Sequence, residues 1–121
     1  MKGYVTNIER DTLGNDDYRR VLFTGENLQL VLMTLQPGEE IGLEVHEDHD
    51  QFIRIEGGSG EALLDGAKHT LSDGMIVLIP AGVEHNVVNT SSGEPLRLYT
   101  LYSPPEHKDG TVHRTKSEES A

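Results

Sequence analysis

Apolar and polar residues alternate along this chain in short runs separated by Gly, Asp and Pro. "LQLVLMTL" (Leu28–Leu35) stops at "PGEE", and "IGLEVH" (Ile41–His46), "QFIRIE" (Gln51–Glu56), "EALLD", "KHTL", "MIVLI" (Met75–Ile79), "HNVVN" and "LRLYTLY" (Leu96–Tyr102) follow. None of these runs has the 3.6-residue period of an amphipathic helix. About ten short strands at this spacing predict an all-β sandwich or barrel. In "LLDGAKHTL", Asp65-Gly66 lies between two apolar runs and predicts a tight hairpin, because both residues tolerate positive φ. "ERDTLGNDD" (Glu9–Asp17) shows no period and reads as a loop. From Pro104 the chain is polar and reads as an extended arm ending in a disordered tail. Three parts result: residues 1–27, strands and loop packing on a barrel; 28–103, the barrel; 104–121, the arm and tail.

Alternation also bears on assembly. In "IGLEVH" one face carries Gly42, Glu44 and His46, and the other carries Ile41, Leu43 and Val45. If the polar face looks into a lumen, the apolar face looks outward and needs a cover. "MIVLI" is apolar on both faces, which implies the same. A homodimer is the expectation. Met33 and Met75 are expected in the core, and Arg54 outside, on the face opposite Gln51. Leu98, Thr100 and Tyr102 share one strand face and Arg97, Tyr99 and Leu101 the other, with either face able to be the inner one.

With 21 acidic against 10 basic side chains, the formal net charge is −11. Such a surface repels phosphate backbones and anionic bilayers, so neither nucleic acid nor membrane is an expected partner. The absence of cysteine excludes disulfides and thiolate zinc sites. "KGYVTNIERD" after Met1 lacks the apolar run of a signal peptide, and no segment has the length of a membrane-spanning helix, so a cytoplasmic location is expected.

The candidate chemistry lies in two spaced motifs. From Gly74, "GMIVLIPAGVEHNVVN" reads Gly, five residues, Pro80, one, Gly82, two, His85, three, Asn89. From Gly38, "GEEIGLEVHEDHDQFIRIEGG" reads Gly, five residues, Glu44-x-His46, four residues, Gln51, six residues, Gly58. These resemble, in order and register, the two signature motifs of the cupin superfamily, over roughly Leu28 to Tyr102. The general look is similar to small single-domain bacterial cupins described as mannose-6-phosphate isomerase-like. The first motif departs twice: Glu44 stands where the family has its first His, and Gln51 where it has Glu. Asp50 to Gly57 also fits the six-residue gap, but Gln51 brings "GSG" (Gly58–Gly60) into line with the family's Gly-x-Gly. The resemblance implies a jelly-roll barrel, the cupin double-stranded β-helix.

It also implies one divalent metal ion held by His46, His85, Glu44 and Gln51. Glu44 and His46 lie two apart on a strand and share a face. Gln51 starts the next strand, and His85 follows a Pro-x-Gly turn. Two imidazoles, a carboxylate and an amide oxygen would leave two open positions on an octahedral ion and suit Fe, Mn or Ni, while Zn would need only His46, His85 and Glu44. Glu44, if not a ligand, is the natural general base. The expected function is therefore a metal-dependent isomerase-like or dioxygenase-like enzyme acting on a small oxygen-rich molecule. The alternative is a non-catalytic sensor or sugar-binding module with a weakened site, motivated by Glu44 and Gln51. His49, with Asp48 and Asp50, reads as a turn residue, His69 as exposed, and His107 and His113 as chance histidines of the arm.

Overall fold

The computed structural model describes residues 2–120, and its architecture is the jelly-roll barrel that the alternation and the motifs predict. Among these residues lie a short helix α1 (Ile8–Leu13) and nine strands: β1 (Arg19–Thr24), β2 (Gln29–Leu35), β3 (Asp50–Gly57), β4 (Ser59–Leu64), β5 (Ala67–Ser72), β6 (Ile76–Ile79), β7 (His85–Val88), β8 (Leu96–Ser103) and β9 (Val112–His113). They form a six-stranded sheet in the order β6-β3-β8-β2-β1-β9 and a three-stranded sheet in the order β5-β4-β7. All pairings within the two sheets are antiparallel.

The two sheets close on one apolar core. Val31, Met33 and Leu35 of β2, Ile53 and Ile55 of β3, and Leu96 and Leu98 of β8 meet Ala62, Leu71 and Val87 of the smaller sheet. Period-two alternation puts these residues on one face, and the same rule carries Gln29, Gln51, Thr100 and Tyr102 to the inside, all of them buried. Leu98, Thr100 and Tyr102 thus mark the inner face of β8. Arg54 is on the outer face, paired with Glu56 at 3.0 Å. Met33 is fully buried, but Met75 is exposed: it precedes the edge strand β6, whose inward residues are Val77 and Ile79.

Turn chemistry follows the sequence where the backbone demands it. Asp65 (φ 49°) and Gly66 (φ 82°) both sit in the left-handed region and close the β4–β5 hairpin. At the β3–β4 corner Gly58 has φ +94°, and a Cβ there would lie 2.5 Å from the Pro95 carbonyl oxygen. Asn89, the last motif residue, is fully buried. Its amide donates to the Leu35 and Glu94 carbonyls at 2.9 and 2.8 Å and accepts from Ser91 N at 2.9 Å.

The structure also differs from the sequence reading in three stretches of the chain. Part of the predicted loop at Glu9–Asp17 is α1, started by Asn7, whose side chain accepts from Arg10 N at 3.0 Å, and closed at Gly14. "IGLEVH" is not a regular strand. It touches β7 through isolated bridges, in which Glu44 and His85 exchange both backbone hydrogen bonds at 2.9 Å. The arm is not a free tail: β9 pairs with β1, and a 3-10 helix follows at Lys116–Ser120.

Candidate metal centre

Three separate segments deliver polar side chains to the barrel interior: residues 44–51, His85 at the head of β7, and residues 102–107 at the end of β8 and the start of the arm. The double backbone hydrogen bond between Glu44 and His85 sets those two residues directly opposite each other. One ligand-type atom from each of Glu44, His46 and His85 lies within 4.8 Å of the others, and the same holds for His46, His49 and Glu106. His46 belongs to both groups. Its ring centroid is 4.4 Å from that of His49 and 5.1 Å from that of His85, and the Tyr102 ring stands edge-on to His46 and His49.

The two ring nitrogens of each histidine are treated differently. His85 Nδ1 is 2.9 Å from the Val83 carbonyl, which accepts its proton and leaves Nε2 with a free lone pair. His46 Nδ1 lies 3.2 Å from Glu106 Oε2. The Nε2 atoms of both rings are buried without a hydrogen-bond partner. His49 Nδ1 is 3.1 Å from Asp48 Oδ1. Its Nε2 lies 2.7 Å from Glu106 Oε2 but not aligned for a hydrogen bond. Buried polar atoms seldom go unpaired. Several orphaned Nε2 atoms beside a carboxylate are the arrangement a cation would complete, and the donor set fits a divalent transition metal.

The structure brings His46, His85 and Glu44 together as the sequence suggested. Gln51 is also inside: its Nε2 donates to Thr100 Oγ1 at 2.9 Å, and its Oε1 is buried without a partner. Asp50, the other residue that fits the gap, is exposed and caps the Pro80 turn by accepting from Ala81 N at 2.9 Å. His49 stands at the turn but buries its ring in the site, against the sequence reading. Glu106 escaped notice because no spacing rule links it to His46. His107 is no bystander either. Its ring packs edge-on to Tyr102, 5.2 Å between centroids. Gln29 holds this part of the arm: its Oε1 accepts from Glu106 N (3.1 Å) and His107 N (2.9 Å), and its Nε2 donates to the His107 carbonyl (2.7 Å). His69 is exposed, as expected.

Burial sets the proton affinities here. It depresses His46 to about 4, helped by the neighbouring His49 and His85 and opposed by Asp48. Burial likewise depresses His107 to about 4, helped by Arg19 and His113. Glu44 is raised by burial, with His85 and Arg19 pulling it back. For both histidines the folded value lies below the unfolded 6.5, so the unfolded chain binds more protons between those limits. Their stability contribution is present above pH 6.5 and is lost as pH falls toward 4. Glu44 acts in the opposite sense, favouring the folded state at low pH. Metal-free protein is expected to lose stability between pH 6.5 and 4, measured by urea unfolding, with the slope reduced in His107→Phe. A flat profile over that range would contradict the assignment.

A family model described as the cupin domain matches residues 31–102, a span that contains every motif residue from Gly38 to Asn89. The chain belongs to the cupin family. Among its cupin relatives is the uncharacterized protein YrkC of Bacillus subtilis, 45% identical over 123 residues that cover 97% of this chain and 66% of YrkC. The chain thus spans just under two thirds of that relative. Quercetin 2,3-dioxygenase of Bacillus subtilis is 33% identical over 78 residues, covering 64% of this chain and 23% of the enzyme. The crystal structure of BH2720 from Bacillus halodurans superposes with a TM-score of 0.95 at 44% identity, covering 99% of this chain and 96% of that one.

Proposed function

We propose that this cupin holds one divalent metal ion through His46, His85 and Glu44, with Gln51 Oε1 as a fourth, weaker donor. The observation that carries this is the pair of buried, unpartnered Nε2 atoms of His46 and His85 beside the Glu44 carboxylate. Mn, Fe, Ni and Zn all suit mixed nitrogen and oxygen donors. Such an ion supplies Lewis-acid polarisation of a bound oxygen, and iron adds redox chemistry. The chain's own residues do the rest. The Val83 carbonyl holds the His85 imidazole in orientation, Glu106 lies against those of His46 and His49, and Glu44, where it is not a ligand, takes a proton at its carboxylate. Burial favours that role by raising its proton affinity.

The reaction we infer is isomerase-like or dioxygenase-like, on a small oxygen-rich molecule. Polarisation of a substrate carbonyl by such an ion is the ground for the first chemistry, and the partial likeness to quercetin 2,3-dioxygenase supports the second. Gln51 favours a second reading, a non-catalytic binding module, because a neutral amide tied to Thr100 is a poorer ligand than a carboxylate. Elemental analysis of untagged protein separates the two readings. Near one metal per chain, lost in His46→Ala, is the expected result. No metal in either, with no thermal stabilisation on adding these ions, would leave the binding module.

We also propose a homodimer in the cytoplasm. The exposed side chains of Leu43, Val45, Ile76 and Leu78 support the dimer, being apolar outer surface beside an edge strand. Light scattering at micromolar concentration should give twice the 13.4 kDa chain mass, and a monomer would refute it. Among the described residues no helix is long and apolar enough to cross a membrane.

A further inference from the structure

Arg19 is the buried cation of the barrel, its side chain 4% exposed, and the site described above makes no use of it. Its guanidinium lies over the Tyr18 ring, 5.2 Å from the centroid. Nη1 donates to Glu119 Oε2 at 2.8 Å and lies 3.3 Å from His113 Nδ1, while Nε is buried without a partner. The buried Tyr18 hydroxyl also faces Glu119, so the same carboxylate serves both groups. A guanidinium presents a fork of donors that fits a carboxylate in two-point fashion, and here much of that capacity is unspent.

Its present partner comes from the end of the chain. Glu119 comes from the 3-10 helix at Lys116–Ser120, and its side chain is 36% exposed. That helix follows a strand of only two residues, β9, and 3-10 turns this short are weakly stabilised by themselves. Arg19 points inward from β1, paired with the buried Met33 and two residues from the core residue Val21. Its charge acts on Glu44, Tyr102 and His107, and Glu119 acts on Glu44 and His107.

We propose that Arg19 is a carboxylate-binding site inside the barrel, which the chain's own Glu119 fills until a small carboxylate ligand displaces it. Uncovering a buried guanidinium without a replacement anion is costly, so the helix stays closed when no ligand is present. A ligand anion of the same chemistry removes that cost and releases the C-terminal helix. The substrate class is then a small carboxylic acid whose other oxygens reach His46 and His85. This last step rests on the metal-centre reading, whereas the anion site does not.

Glu119→Gln is the deciding variant, since the amide oxygen can still accept from Arg19 Nη1 while the competing charge is gone, and a thermal melt checks that the variant folds. Malonate is the probe, and neutral malonamide the control, titrated calorimetrically into chelator-treated protein. Removal of the competing carboxylate should tighten malonate binding roughly tenfold, because apparent affinity scales with the fraction of open sites. In the unaltered chain, malonate should speed amide exchange in residues 112–120. Equal malonate affinity in the two proteins, or no binding to Glu119→Gln, overturns the proposal. Arg19→Gln should abolish binding, and if that variant does not fold, Glu119→Gln decides alone. Metal content measured on the Glu119→Gln protein as purified, before chelator treatment, keeps the two readings apart. Metal without malonate binding fails only the anion site, and malonate binding without metal fails only the metal centre.

Discussion

His85→Ala should reduce divalent-metal affinity by more than about 100-fold, while Glu106→Gln should cost only about tenfold. The two residues sit differently. His85 offers a buried Nε2 with no other partner, and its Nδ1 is already committed to the Val83 carbonyl. Removing the ring deletes a donor outright. Glu106 instead contacts His46 Nδ1 at 3.2 Å and His49 Nε2 at 2.7 Å, so a neutral amide there loosens the rings without deleting either. The backbone bonds of His85 to Glu44 do not depend on its side chain, so the variant should keep its fold. Competition with a chelating dye for Zn or Mn would measure both affinities. A His85→Ala protein that binds as tightly as the parent would remove His85 from the site. A Glu106→Gln loss as large as that of His85→Ala would make Glu106 a direct ligand.

The largest stability loss is expected from Gly58→Ala. A Cβ at Gly58 would lie 2.5 Å from the Pro95 oxygen and 3.1 Å from the Leu96 Cα, both of them backbone atoms. Neither can swing aside as a side chain would. The φ of +94° adds strain that L-residues tolerate poorly. Together these should cost at least about 3 kcal/mol, lowering the melting temperature by roughly 10 °C or more in a domain of this size. Gly66→Ala is the matched control: φ is +82°, but nothing lies within 4 Å of its Cβ. It should cost only about 1 kcal/mol, the left-handed strain by itself. Equal losses in calorimetry would show that the crowding at Pro95 relaxes freely.

The barrel was legible because its information is local. A period of two puts Ile53 on the face of Gln51 and groups Leu98 with Thr100 and Tyr102, the face that the structure shows to be inner, and Asp65-Gly66 spells out its own turn. Helix α1 was not legible, since six residues make under two turns and carry no measurable period. "IGLEVH" alternates like a strand, but only the Glu44–His85 bridge lies within it, and Gly42 at φ +115° departs from the extended conformation a ladder needs. Met75 was misplaced for a related reason: an apolar run on an edge strand keeps one side outside. At the site, His46, His85 and Glu44 were found through spacing. His49 and Glu106, and Arg19 away from it, were missed because burial of a polar side chain depends on which distant segment covers it. The Gln29 contacts that carry residues 106 and 107 into place span 77 and 78 positions, beyond any local pattern.

The candidate donors come from residues 44–49, 85 and 106, and none of these segments neighbours another in the chain. The pairing of Glu44 with His85 closes a loop of about 40 residues, and long closures of this kind are made late on the folding route. An unfolded chain therefore offers no assembled pocket, and neither does a partly folded one with a single sheet formed. Any species that engages this cluster grips the finished molecule alone. Its influence would be felt almost wholly as slower unfolding, a longer native lifetime rather than a faster arrival.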